Sequence, residues 1–196
     1  MAKLYYQGHG SCRITSNNGR ALYIDPFAGD GYEPPADIIL VSHQHKDHNK
    51  IDLCTQNTGC RIITNTEALA GGVHQTFSFD GFRIEATVAK NLAHSPKKCV
   101  GFIITVDGVT LYTTGDTWQT AQMRTFAARH FDYALFTCDG IFNMSPRAAA
   151  KCARLIAAKH NIPIHLRLTK IFDEARAQKW NAPNKLIVKP GEEIAL

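Results

Sequence analysis

The chain has 196 residues, 44% of them hydrophobic and 20% charged, which is enough for one domain (1–196) with its own core. No apolar run approaches the roughly 20 residues a membrane helix needs. The start, Met1-Ala2-Lys3-Leu4-Tyr5-Tyr6, has no apolar signal segment, so the expected location is cytoplasmic. The net charge of +5 is concentrated in residues 144–196, which carry 10 Lys and Arg against 4 Asp and Glu. There Arg147, Lys151 and Arg154 alternate at helical spacing with Ala149, Cys152, Ala153 and Ile156, the pattern of a solvated helix face. A nucleic-acid domain would show a denser basic patch with interleaved aromatics, so nucleic acid is not an expected partner. The six cysteines contain no C-x-x-C pair, which argues for free thiols and against a zinc ribbon.

In chain order, Lys3–Gln7, Ser11–Ser16 and Arg20–Ile24 read as strands, separated by Gly8-His9-Gly10 and the hairpin signal Asn17-Asn18-Gly19. The Gly- and Pro-rich stretch Ala28–Pro35 is a loop, and Ala36–Val41 a buried strand. Lys50–Thr55 reads as a short helix and Arg61–Thr64 as a strand; Asn65 or Thr66 caps a helix through Leu69. Strands return at Gln75–Phe79, Phe82–Ala89, Val100–Val106 and Val109–Thr113, with Asp80-Gly81 and Asp107-Gly108 as turns. Thr117–His130 is predicted helix, Asp132–Phe136 strand, and Ser145–Lys159 helix with a Ser-Pro start. Ile162–Leu166 is predicted strand, Ile171–Trp180 helix and Lys185–Val188 a last strand. Many strands followed by alternating helices and strands suggest an α/β protein of two packed sheets with helices outside.

The chemistry concentrates in Ser42-His43-Gln44-His45-Lys46-Asp47-His48, directly after a buried strand. Residues two apart in an extended chain point the same way, so His43 and His45 can aim two imidazoles at one ion. Asp47 and His48 follow as the chain turns and can reach a second. Three distant residues also stand where strands end: His94 in Leu92-Ala93-His94-Ser95, Asp116 in Thr114-Gly115-Asp116-Thr117, and His165 in Ile162-Pro163-Ile164-His165. Ligands at the ends of several strands converge on one sheet edge.

Together these segments resemble the metallo-β-lactamase superfamily over nearly the whole chain. The added features Gly8-His9-Gly10-Ser11, Ile24-Asp25-Pro26-Phe27, Asn143-Met144 and Lys189-Pro190-Gly191-Glu192 are similar to its small branch of ascorbate-6-phosphate lactonase-like and uncharacterised metal-dependent hydrolases. The resemblance implies a four-layer αββα sandwich with the site at one edge. It implies one metal held by His43, His45 and His94, a second by Asp47, His48 and His165, and Asp116 bridging them. The ions expected are two divalent cations, Zn²⁺ foremost, with Mn²⁺ or Fe²⁺ also suited to the donors. Roughly 3.5–4 Å apart, they would share a hydroxide that attacks an electrophilic centre, with Asp116 and Asp47 as catalytic carboxylates and Asp47 a shuttle for the leaving-group proton.

The implied activity is hydrolysis of a small ester or lactone, phosphorylated or otherwise anionic substrates included; the alternative is a phosphodiesterase or nuclease of the same superfamily. Against the alternative, no insertion is long enough for an RNA-gripping arm. Redox di-iron relatives place Glu where His45 stands, so His45 favours hydrolysis. His9, Lys97 and Asn143 are the candidate substrate contacts, with Lys98 beside Lys97. Asp25 and Asp37 are candidates to orient metal-bound imidazoles, and Cys138 lies near the site or serves as a small buried hydrophobe. Leu166-Arg167-Leu168 departs from the small or aromatic residue usual in the resembled family and marks an altered substrate wall. A homo-oligomer is compatible with all of this.

Overall fold

Apolar residues at every second position give each strand one face for a shared core. Leu4 and Tyr6, Cys12 and Ile14, Leu22 and Ile24, and Ile38 and Leu40 pack against Phe82 and Ile84, Phe102 and Ile104, Leu135, Ile162 and Ile164 in one buried cluster. In the computed structural model, which describes all 196 residues, these residues come from two six-stranded sheets packed face to face.

The first sheet contains β1 (Lys3–Gly8), β2 (Ser11–Thr15), β3 (Ala21–Ile24), β4 (Ala36–Leu40) and β5 (Gln56–Ile63). After it come the one-turn helix α1 (Asn65–Ala68) and β6 (Thr76–Phe79), β7 (Phe82–Val88), β8 (Val100–Val106) and β9 (Val109–Thr113). The chain continues with β10 (Tyr133–Thr137), α2 (Pro146–Ile156), β11 (His160–Ile164), α3 (Glu174–Lys179) and β12 (Glu193–Ala195). The first sheet is ordered β12-β1-β2-β3-β4-β5 and the second β11-β10-β9-β8-β7-β6.

The opposite parity of the second sheet, Ile103, Tyr112, Ala134 and Phe136, meets Met123, Phe126, Ala149, Cys152, Ala153 and Trp180 beneath the helices. Tyr23, Ile39 and Val41, on the outer face of the first sheet, are covered by Tyr32 and Cys54 from loops. The architecture is thus an αββα sandwich whose outer layer is helical over the second sheet and thin over the first.

Several elements differ from the sequence reading. The segment predicted as helix over 117–130 contains only a 3-10 stretch, Gln122–Arg129. Its would-be first turn is tied to the loop before β8: Trp118 donates its amide to Lys90 O (2.8 Å), and the Lys90 amide donates to the Thr117 hydroxyl (2.9 Å). Lys185–Val188 forms no strand beyond a single bridge between Asn161 and Lys185. The last strand is instead the three-residue β12, antiparallel to β1, too short for a periodicity signal. β5 begins at Gln56 rather than Arg61, and α3 at Glu174, where Asp173 caps it by accepting from the Arg176 amide at 3.0 Å. The cap of α1 is Thr64, paired with Glu67 in a capping box, not Asn65 or Thr66. Ser145 and Pro146 open α2 as expected.

Asp37 serves the fold rather than the site. Its carboxylate accepts from Arg20 (2.7 Å), the Ala21 amide (2.8 Å) and Asn57 (2.9 Å), pinning β3, β4 and β5 together. Burial opposes its charge, but these donors outweigh burial and lower its pKa. A lowered carboxylate pKa stabilises the fold above the unfolded value, about 3.9, and that contribution fades as pH falls through the folded value. Asp37→Ala is therefore expected to destabilise the protein by about 1–3 kcal/mol at neutral pH. In thermal melts the gap between variant and parent should narrow below pH ~4; a gap that is the same at pH 3 and pH 7 would contradict the ionic role.

Candidate metal centre

Strand direction builds the site. β3, β4 and β5 run parallel in the first sheet and β9, β10 and β11 in the second, and β1 and β7 share those directions through their antiparallel neighbours. Each of these strands except β5, leaving the sheet, delivers a side chain to one edge. His9 follows β1, Asp25 follows β3, residues 43–48 follow β4, and His94 lies in the loop after β7. Asp116, Asp139 and His165 follow β9, β10 and β11. Gly115 makes the Asp116 delivery feasible: its φ is +60°, and a Cβ there would lie 2.3 Å from Val100 O.

All seven predicted ligands meet. His43, His45 and His94 form one group and Asp47, His48 and His165 another, with ligand atoms in each within 4.8 Å of one another. His45 Nδ1 lies 3.1 Å from His94 Nε2, close to the roughly 3.3 Å edge of a tetrahedron with 2.0–2.1 Å metal–nitrogen bonds. Asp116 stands between the groups and divides its carboxylate. Oδ2 lies 4.0 Å from His43 Nε2, while Oδ1 lies 3.6 Å from His48 Nε2 and 3.9 Å from His165 Nε2. These spacings are too long for hydrogen bonds. Accordingly His43 Nε2, His48 Nε2, His165 Nε2 and Asp116 Oδ1 are buried with no hydrogen-bond partner. Orphaned polar atoms each cost about 1–3 kcal/mol, and four converging on shared points fit divalent cations.

The opposite ends of the rings are held. His48 Nδ1 faces Asp25 Oδ2 at 2.9 Å, and the same oxygen accepts from the Ser42 hydroxyl (2.7 Å), which in turn meets His43 Nδ1 (3.0 Å). His94 Nδ1 faces Asn91 Oδ1 at 2.9 Å. These contacts leave the Nε2 lone pairs of His43, His48 and His94 directed at the centre. Asp139 Oδ2 lies 3.6 Å from His165 Nδ1. His9, Asp25 and His165 all adopt left-handed backbone, at φ of 55°, 45° and 46°, strain of a kind that collects at functional sites.

Electrostatics follow from crowding. Burial and the neighbouring His48 push His43 down to about 2, with Asp116 offsetting only part. Burial also opposes charge on His48, but Asp116, Asp25 and Asp47 lift it to about 9. Burial works against ionised Asp116 too, yet His48, His165 and His43 hold its carboxyl below the usual range.

The remaining expected residues are sorted by the same geometry. His9 is buried, with Nε2 3.2 Å from Asp47 Oδ2 and its ring 3.7 Å from that of His165, and it offers a ring nitrogen within 4.8 Å of the ligand atoms of Asp47, His48 and His165. Asn143 is likewise buried; its amide donates to Asp139 (2.6 Å) and its oxygen accepts from Asn91 (2.8 Å), leaving it as a brace between the His94 and His165 supports. Lys97 is exposed, and it is Lys98 that lines a recess with His43, Gln44, Asn65 and His94. Cys138 is buried in the core under α2, the small-hydrophobe role. Asp25 orients an imidazole as expected; Asp37 does not. Sequence reasoning missed Asn91 and Asp139. Asp139 carries the same signal as Asp116, an acid at the end of an apolar strand, in Cys138-Asp139-Gly140.

Two mixed sheets face to face, with imidazoles and carboxylates gathered where the strands end, define a metallo-hydrolase sandwich. A profile of the Beta-lactamase superfamily domain matches residues 3–165. A metal-dependent hydrolase of the UPF0173 group from Nitratidesulfovibrio vulgaris is 30% identical over 231 residues, covering 100% of this chain and 96% of the relative. One from Thermococcus kodakarensis is 28% identical over 228 residues, covering 100% of both. Among solved structures, the metallo hydrolase Igni18 of Ignicoccus hospitalis superposes with a TM-score of 0.76 at 21% identity, over 98% of this chain and 97% of that one. The chain belongs to the metallo-β-lactamase superfamily and is a metal-dependent hydrolase within it.

Asp25 meets His48 directly and His43 only through the Ser42 hydroxyl, so it is a positioning residue. Asp25→Asn should weaken metal binding by about 10–100-fold, read by competition with a fluorescent chelator. Unchanged affinity in a folded variant would remove Asp25 from the account.

Proposed function

We propose that the protein is a binuclear hydrolase acting on a small ester or lactone, with Zn²⁺ in both positions and Mn²⁺ or Fe²⁺ as workable substitutes for the same donors. The observation that carries this reading is Asp116, whose two oxygens face different ligand groups. When bound, paired divalent ions supply Lewis acidity and lower the pKa of water.

The protein's part is placement. Asp116 spaces the two groups across one carboxylate. Asp25, Ser42 and Asn91 fix the ring tautomers, so no reorganisation is needed as charge develops. Asp47, with a side chain 31% exposed, is the ligand carboxylate that opens most onto the recess in front of the site. Burial opposes its charge, but His165, His9 and His48 outweigh burial and hold Asp47 ionised, so any proton it takes passes on readily to a departing alkoxide. Phe142 and Leu168 flank the recess and limit water at the reacting bond.

A panel of lactones, thioesters and bis-aryl phosphodiesters, assayed with Zn²⁺ and with Mn²⁺, tests the reaction class. Lactones or other carboxylic esters should be turned over best, and hydrolysis of phosphodiesters alone would favour a phosphodiesterase. Asp116→Ala should lower kcat/KM by on the order of 10³-fold while the thermal melt still shows a cooperative fold. Undiminished turnover would defeat the bridging role.

A further inference from the structure

Two recesses meet at the ligand ledge formed by His45, Ala93 and His94, and their linings differ in kind. The recess over both ligand groups has a volume of about 230 Å³; apart from ligands it is lined only by Ala93, Phe142 and Leu168. It contains no cation and no neutral hydrogen-bonding side chain. The adjoining recess, about 390 Å³, is lined by Gln44, Asn65 and Lys98 beside the histidines. Lys98 has no carboxylate within 4.0 Å, whereas Arg167, the nearest cation in sequence to Leu168, is already paired with Asp173 at 2.8 Å.

The apolar wall is built rather than incidental. Asp139 Oδ1 accepts from the amides of Ile141 (2.7 Å) and Phe142 (3.0 Å), fixing the loop that presents Phe142. Phe142 is 45% exposed, Ile141 64% and Leu92, next to Ala93, 82%. Of these Phe142 lines the recess itself, and an exposed large apolar side chain at a cleft marks a binding surface. Leu168 belongs to the Leu166-Arg167-Leu168 segment; Leu166 turns into the core while Leu168 turns into the recess.

We infer that the substrate is an ester or lactone bearing a short apolar group, seated against Phe142 and Leu168, with its polar or anionic remainder toward Lys98. A phosphorylated sugar would set hydroxyls and charge against a wall that offers them no partner, at the desolvation cost of unpaired polar groups. The volume lies below the roughly 300–1,000 Å³ of a drug-sized site, which restricts the group to a short acyl chain or one ring. The inference deepens the hydrolase reading and rests on it for the reaction, but its test does not need turnover.

Acetate and hexanoate, product-like carboxylates differing only in their apolar part, are titrated into Zn²⁺-loaded protein by calorimetry. Hexanoate should bind on the order of 10-fold more tightly or better. In Phe142→Ala/Leu168→Ala, whose metal content is checked separately, that preference should collapse towards unity. Equal binding of the two by the parent protein, or a preference that survives in the double variant, would overturn the inference. If the preference behaves as stated but no ester or lactone is hydrolysed, the ester or lactone reading falls and the apolar seat stands.

Discussion

The structure depends on how one buried carboxylate is shared. Asp116 is 5% exposed, surrounded by His43, His48 and His165, and makes no hydrogen bond through Oδ1. A charge in that position is tolerated only if cations or charged donors surround it. Gly115 with its positive φ, the end of β9 and the tautomer-fixing contacts of Asp25 and Asn91 all bear on holding this carboxylate between two sets of imidazoles. The left-handed backbone at His9, Asp25 and His165 belongs to the same arrangement, because each residue turns sharply out of a strand to reach the shared edge.

Much of this was legible in the sequence, for physical reasons. Period-two alternation marked the strands because a sandwich core takes every second side chain, and the two-sheet architecture followed from it. The ligands were legible because an imidazole or carboxylate directly after an apolar strand has few other uses, and several such residues in one chain must converge when the strands are parallel. Short-range signals did less well where tertiary contacts decide. The Thr117–His130 segment reads as helix, but Thr117 and Trp118 are tied to Lys90 in the loop before β8, and only the 3-10 stretch Gln122–Arg129 forms. β12 is three residues long and exists because β1 offers it an edge.

The supporting residues show a similar division. Asp25 stood beside a strand end and a turn, and its role could be anticipated. Asp37 stands near the start of β4, at the opposite end from the site, and points to Arg20 and Asn57. His9 and Asn143 are the expected substrate contacts; both are buried, one against Asp47 and His165 and the other between Asn91 and Asp139. The recesses beside the ligand groups are lined instead by residues without catalytic chemistry of their own, Phe142 and Leu168, and by Lys98 rather than its neighbour Lys97. The cleft's character therefore depends on loop shape, which one sequence does not encode in any short pattern.

The central claim is that this edge holds two ions across a single carboxylate. Native mass spectrometry of metal-stripped protein titrated with Zn²⁺ tests it most directly. Saturation at two ions per chain is expected in the parent protein, with loss of the two-ion species in Asp116→Ala. Saturation at one ion, or two ions bound equally well without the Asp116 carboxylate, would contradict it.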